Sequence, residues 1–273
     1  MKWIKKNLSS IILVAILILG LSLLLYPSFS DYWNSFHQSR AIASYAQQVT
    51  QIDDTEYEKM WAQAEAYNQK LIEKENRFIL TEEDYEEYES VLNVGGTGII
   101  GYIEIPDIKV SLPIYHGVDE AVLQIAVGHI EGSSFPVGGE GTHTVISGHR
   151  GLPSAKLFTN LDQLTEGDLF MLQVLDETLT YEVDQIRIVE PEDLTNLGIE
   201  EGKDLCTLVT CTPYGVNSHR LLIRGHRVAN VDAKTIRVTA DAIQIEPVLV
   251  APIVAAPILV LLLIWLLIYY RKR

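Results

Sequence analysis

The stretch LCTLVTCTPYGVNSHR, Leu205 to Arg220, puts one of only two thiols in the chain where it can be used. Leu205 to Cys211 reads as a strand, and Thr212, Pro213, Gly215 and Asn217 then disfavour its continuation, so Cys211 stands at a strand end beside a loop. A free cysteine is only a few per cent thiolate near neutrality, so nucleophilic use calls for a base close by. His149 has a matching context: Thr144 to Ser147 is strand-like, and Gly148-His149-Arg150-Gly151 follows as a turn. A lone histidine in such a turn is ordinarily only a hydrogen-bonding group. Arg220 opens the next strand-like run, and Arg220, Leu222 and Arg224 share a face, so alternation does not decide which arginine approaches the thiol.

The two cysteines should not bridge each other. On one extended strand, five residues separate their Cα atoms by roughly 16 Å, against the less than about 7 Å that a disulfide needs. Odd spacing sends Cys206 and Cys211 to opposite faces, one toward a core and one toward a site.

The elements that must position these groups are mostly strands. From Ile99 the apolar period is two: Ile103 and Ile105, then Ile108, Val110, Leu112 and Ile114, then runs at Thr144–Ser147, Leu169–Leu175, Leu179–Val189, Leu205–Cys211 and Arg220–Val228. Many short strands with few long helical patterns between them argue for a closed or sandwich-like β domain. Gly151 to Leu164 reads as a short helical excursion, and the Gly95-Gly96-Thr97-Gly98 cluster as a turn. Upstream the pattern is helical, with Ile42, Tyr45, Ala46 and Val49, then Met60, Ala64, Tyr67 and Leu71, and Thr55 with Glu58 as the capping box that starts the second helix. Thr81 to Glu89 shows no core-facing stripe and reads as an acidic surface segment.

The chain has 273 residues, 48% of them hydrophobic, and much of that apolar content lies at the ends. Leu8–Tyr26 and Val248–Tyr270 are uncharged apolar runs long enough to cross a bilayer. Lys2, Lys5 and Lys6 precede the first and Arg271, Lys272 and Arg273 follow the second, which by the positive-inside rule puts both termini in the cytoplasm and the domain between them outside. Ser28-Phe29-Ser30 also fits a cleaved export signal. With the six terminal basic residues set aside, 15 Lys and Arg remain against 36 Asp and Glu, a balance of −21. That excludes nucleic acid as a partner, because phosphate binding needs a basic footprint. Metal-ligand spacings are absent: there is no CxxC, HExxH or EF-hand array, and no cofactor is expected. A papain-like arrangement would set the nucleophile at a helix start, not at a strand end.

Thr207-Leu-Val-Thr-Cys211 resembles the TLxTC signature of sortases, membrane-tethered cysteine transpeptidases of Gram-positive bacteria. IPDIKVSLPIYHG (Ile105–Gly117), GHIEGSSFPVGG (Gly128–Gly139), THTVISGHRGLPSAKLFTNL (Thr142–Leu161) and TLVTCTPYGVNSHRLLIRGHR (Thr207–Arg227) resemble class C, the pilin-polymerising branch, in that family's order. The resemblance implies an eight-stranded β-barrel with short helices, preceded by amphipathic helices and flanked by two transmembrane helices. It implies Cys211 as nucleophile, His149 as general acid/base and Arg220 as oxyanion or substrate-positioning residue. The implied substrate is an LPxTG-like sorting signal, and the implied partners are pilin subunits with such signals and acceptor lysines, at the cell membrane. The expected organisation is a basic tail and first span over 1–27, a helical and acidic region over 28–94, the barrel over 95–229, a juxtamembrane stretch over 230–247, and a second span with a cytoplasmic tail over 248–273. Two other readings stay open: attachment of surface proteins to cell-wall precursor, and a non-catalytic anchored scaffold. One class C feature is missing. Those enzymes usually carry a lid with an Asp-Pro-aromatic motif, and none occurs between Tyr67 and Gly98; Asn76–Asp84 is placed to cover the site by other contacts.

Overall fold

In the computed structural model, described for residues 8–230 and Trp265, the period-two segments become eight strands. They are β1 (Ile99–Ile105), β2 (Val110–His116), β3 (Val127–His129), β4 (Thr142–Ser147), β5 (Leu169–Val174), β6 (Glu177–Val189), β7 (Asp204–Thr212) and β8 (His219–Val228). They close into a barrel in the order β1-β2-β3-β4-β7-β8-β6-β5, the eight-stranded architecture expected. The β2–β3 and β4–β7 pairs are parallel and the others antiparallel. Apart from Asn230 and Trp265, the expected juxtamembrane stretch and second span (230–273) lie outside the described residues.

Inward positions carry the core: Ile103, Ile114, Ile146, Leu172, Leu208 and Ile223 are buried within one cluster. Cys206 belongs to it and is fully buried, and burial pushes its thiol up. Cys211 is partly exposed, and both thiols are free, as the five-residue spacing predicts. The strand missed in the sequence is β3, whose three residues are too few to show a period.

Upstream, the first apolar run and the helical pattern after it form one helix, α1 (Leu8–Val49), with Pro27 inside it. Its apolar part has a mean hydropathy of 2.9 and no buried residue, so by length and composition it can cross a membrane. Beyond Asn34 the helix docks on the barrel. The Tyr45 hydroxyl donates to Ile100 O (2.8 Å) and accepts from Leu175 N–H (2.8 Å). Asn34 Nδ2 donates to Ser154 O (2.8 Å) and Gln38 Nε2 to Ile125 O (2.7 Å), on segments either side of β3 and β4.

Three local expectations change. The helix α2 (Asp54–Glu73) is capped by Asp53, whose carboxylate accepts from Glu56 N–H (2.9 Å), not by the Thr55–Glu58 box. An aspartate two residues earlier wins because it is the stronger cap and is itself outside the helix. The acidic stretch is a helix, α3 (Glu82–Ser90), started by a true capping box between Thr81 and Asp84. Its core contact is a single ring, Tyr88, which is completely buried and whose hydroxyl accepts from Gly117 N–H (2.8 Å) and donates to His129 O (2.9 Å). One buried residue in nine leaves no stripe to read. Gly151–Leu164, by contrast, holds no α-helix, only a 3-10 turn over Leu161–Gln163; Leu157 sits at φ 40°, which a helix cannot accommodate.

Candidate active site

Cys211 lies near the end of β7, directly opposite Arg220 of β8 in the antiparallel register. Cross-strand partners point to the same face with Cα atoms about 4.5 to 5.5 Å apart, so the two side chains leave the sheet side by side on one face. On the other side β4 runs parallel to β7 with Ser147 level with Val209. Continuing that register by two residues sets His149 level with Cys211.

The continuation is enforced at Gly148. Its N–H donates to Val209 O (3.0 Å) and its carbonyl accepts from the buried Thr210 hydroxyl (2.7 Å), so the turn is fastened to β7 on both sides. A Cβ here would lie 2.7 Å from Phe158 Cδ2 and 2.8 Å from Val127 Cγ1, so only glycine fits. The His149 carbonyl then accepts from Phe158 N–H (3.1 Å). Its Nε2 lies 3.9 Å from Glu120 Oε2, a carboxylate on the short helix α4 (Glu120–Leu123).

Arg150 binds the two strand ends together. It pairs with Asp162, its Nη1 reaches the Thr212 hydroxyl (3.5 Å), and its guanidinium stands 5.9 Å from the Tyr214 ring centre. It thus touches the residue after Cys211 from the residue after His149, a role that the sequence reading missed.

The structure also separates the two arginines that alternation left equivalent. Arg224 is committed: Nε and Nη2 grip Asp184 (2.9 and 3.1 Å) and Nη1 reaches Glu200 (2.9 Å). Arg220 Nη1 contacts the carbonyls of Asn217 (3.4 Å) and His219 (3.2 Å), and among the described residues no carboxylate engages its guanidinium.

The strands carry an apolar stripe, here called the trough, that leads to this end of the barrel on the face away from the main core. By register His143, Val145 and Ser147 of β4 share the face of Thr207, Val209 and Cys211 of β7 and of Arg220, Leu222 and Arg224 of β8. Val145, Val209 and Leu222 are buried there under Leu197, from the β6–β7 connection (190–203), and Phe78, Ile130 and Val189 pack against them. Phe78 belongs to the segment before α3, so that segment covers the trough without an Asp-Pro-aromatic motif. Its neighbour Arg77 is buried, donates to Leu197 O, and has its guanidinium carbon 4.6 Å from the Phe78 ring centre. Gly132 allows the approach, because a Cβ there would lie 2.0 Å from Arg77 O. Beside the trough, an open pocket of about 360 Å³ is bounded by Phe78, Leu80, Tyr85, Ile130, Glu131 and Leu194. Burial raises the Glu131 carboxyl above its ordinary value, with Asp119 and Glu89 adding to the effect.

Among the described residues no group of three or more His, Cys, Asp or Glu is arranged to hold a metal ion.

A family profile describing the sortase domain matches residues 103–228. Sortase C1 from Streptococcus agalactiae is 52% identical, with a TM-score of 0.68 over 70% of this chain and 100% of that one. The Streptococcus pneumoniae sortase C structure, whose report concerns catalysis and pilin substrate specificity, is 43% identical with a TM-score of 0.61, over 70% of this chain and 97% of that one. Among curated proteins, Sortase D of Bacillus subtilis (strain 168) is 34% identical over 131 residues, 47% of this chain. The matched part spans 63% of that relative's length.

Proposed function

Because this chain belongs to the sortase family, we propose that it is a cysteine transpeptidase, tethered to the membrane, that cleaves an LPxTG-like sorting signal and joins pilin subunits through isopeptide bonds. The observation that carries this reading is the register that makes Cys211 and Arg220 cross-strand neighbours and brings His149 level with them, at the end of a trough suited to an extended apolar peptide. The likeness to sortases C supports the choice of pilins.

In the proposed reaction the Cys211 thiol gives its proton to His149, and the sulfur attacks the carbonyl carbon of the signal's threonine. The C–S bond forms as the carbonyl π electrons move to oxygen. Arg220 donates to that oxygen, and losing one such donor typically costs about 2.7 to 4 kcal/mol of transition-state stabilisation. Collapse breaks the C–N bond to the following residue, and His149 returns the proton to the departing amine. The thioester is then attacked by a lysine ε-amine of the next subunit, His149 takes a proton from the attacking nitrogen, and the sulfur leaves as thiol. Water in place of the amine gives hydrolysis. Helix α1 would confine enzyme and membrane-anchored substrates to one surface, raising their effective concentration.

The peptide must displace Phe78 or slide beneath it, so Asn76–Leu80 acts as a cover held by side-chain packing and the Arg77–Leu197 hydrogen bond. The test is intact-mass analysis of the protein mixed with a sorting-signal peptide. We expect an acyl adduct on the wild type, none on Cys211→Ala, and slower formation on His149→Ala and Arg220→Ala. An adduct that survives Cys211→Ala would refute the assignment.

A further inference from the structure

The β6–β7 connection is held by two side chains that take no part in the chemistry proposed above. His143 is fully buried on β4, two positions before Val145. Its Nδ1 lies 2.7 Å from Gly198 O, and its Nε2 lies 2.7 Å from Thr207 Oγ1. A carbonyl only accepts, so Nδ1 must carry the proton. Burial pushes the imidazole down to about 4, so it is neutral near pH 7 and Nε2 accepts from the Thr207 hydroxyl. The ring is therefore fixed in one tautomer, oriented by β7 and aimed at the connection. Two residues on, Glu200 is held by Arg224 from β8. Between these anchors and β6, Leu197 sinks into the cluster with Val145, Val209 and Leu222.

Distance rules out a direct part in the reaction. Thr207 is four residues from Cys211 along β7, roughly 13 Å. What His143 does control is the wall of the trough: the connection leaves β6 at Val189, level with Arg220, and rejoins the barrel at Asp204, level with Thr142, so it runs along the trough from end to end.

We propose that His143 is a positioning residue for donor-peptide recognition, which sets the β6–β7 wall against the apolar floor through its bond to Gly198. This rests on the transpeptidase reading for the identity of the peptide, but not for the mechanical link. Loss of the link leaves the thiol end intact and loosens the wall, so binding suffers and chemistry does not.

The substitutions His143→Asn and His143→Gln separate the two bonds, because the asparagine amide nitrogen falls near the Nδ1 position and the glutamine amide near Nε2. With a fluorogenic sorting-signal peptide, His143→Gln is expected to raise KM at least tenfold with kcat within about twofold. His143→Asn should return KM to within about threefold of wild type. Alkylation of Cys211 by iodoacetamide should be unchanged in both. Glu200→Gln, a half-buried substitution that leaves the buried ring in place, should raise KM about threefold and covers the case in which His143→Gln does not fold. Equal KM for His143→Gln and wild type, a fall in kcat at constant KM, or equal behaviour of Asn and Gln would overturn the proposal. Hydrogen exchange of the amides of residues 194–200 reads the link without any turnover, and should be at least tenfold faster in His143→Gln. If the wild type does not process the peptide, the transpeptidase reading fails, and unchanged exchange would sink the His143 link separately.

Discussion

Alanine at Gly148 puts the tightest local constraint at the site to the test. The new Cβ would begin 2.7 Å from Phe158 Cδ2 and 2.8 Å from Val127 Cγ1, whereas carbon atoms rest about 3.5 to 4.0 Å apart. Relief therefore needs a movement of roughly 0.8 Å. The backbone cannot simply retreat, because Val209 O and the Thr210 hydroxyl hold Gly148 from the β7 side. Overpacking of this kind costs about 1 to 3 kcal/mol, offset by about 0.4 to 1 kcal/mol from the stiffer unfolded chain. The net cost is about 0 to 2.6 kcal/mol, so at about 2 to 4 °C per kcal/mol for a domain of this size Tm should fall by at most about 10 °C, leaving a folded protein at 25 °C. Activity should suffer far more, since the next residue is His149, the proposed acid/base, and an error of about 1 Å in such a group can cost 100-fold. The assay is kcat/KM on the sorting-signal peptide beside a thermal melt, with Phe158→Leu as partner substitution to vacate space for the new methyl. We expect a loss of about 30- to 100-fold for Gly148→Ala and partial recovery in the double variant. Wild-type kcat/KM in the single variant, or no recovery on making room, would show that the turn does not set His149 as argued.

Phe78→Ala should uncover the trough. Removing a half-buried ring releases about 1 kcal/mol of burial, so alkylation of Cys211 by a bulky maleimide should quicken about fivefold, and a slower reaction would rule out a covering role. Acid should weaken the fold through two histidines that burial holds low, His129 at about 3 and His143 at about 4. Their unfolded value is near 6.5, so the unfolded chain takes up protons first as pH falls. The stability they contribute is full above pH 6.5 and is lost progressively below it, by about 2 kcal/mol for each at pH 5. Urea midpoints from pH 7 to 5 should fall accordingly, and a flat profile would contradict it. In pilin-bearing cells, loss of this chain should abolish high-mass pilin ladders; intact ladders with surface proteins released from the wall would favour the wall-attachment reading instead.

The barrel was readable wherever one face of a strand is buried and the other is not. Leu179–Val189 and Arg220–Val228 lie within two residues of β6 and β8 because their neighbours alternate, while β3 escapes because Val127–His129 is three residues long, too short for an alternation to show. The place of Cys211 was legible from turn chemistry, since Pro213, Gly215 and Asn217 end the strand. Its neighbourhood was not. Which arginine stands free depended on Asp184 and Glu200, which lie 40 and 24 positions before Arg224 and meet it only across the barrel. The single tyrosine that docks α3 finds its partners in Gly117 and His129, neither of which carries any local sign of the contact.

The trough and its wall follow from one topological requirement. Parallel pairing of β4 with β7 needs a long crossover, because parallel neighbours cannot be joined by a hairpin. Here the crossover includes β5 and β6, and it arrives at Val189, level with Arg220 and Cys211. To begin β7 at Asp204, the chain must travel back seven residues of strand, roughly 23 Å. Fully extended, about seven residues would span that distance, yet residues 190–203 are twice as many. The surplus folds into the 3-10 turn over Thr195–Leu197 that drops Leu197 onto Val145, Val209 and Leu222. The return path that the β4–β7 pairing requires is thus also what packs over Val145, Val209 and Leu222, and its anchors, His143 and Arg224, sit on the very strands that it was needed to join or border.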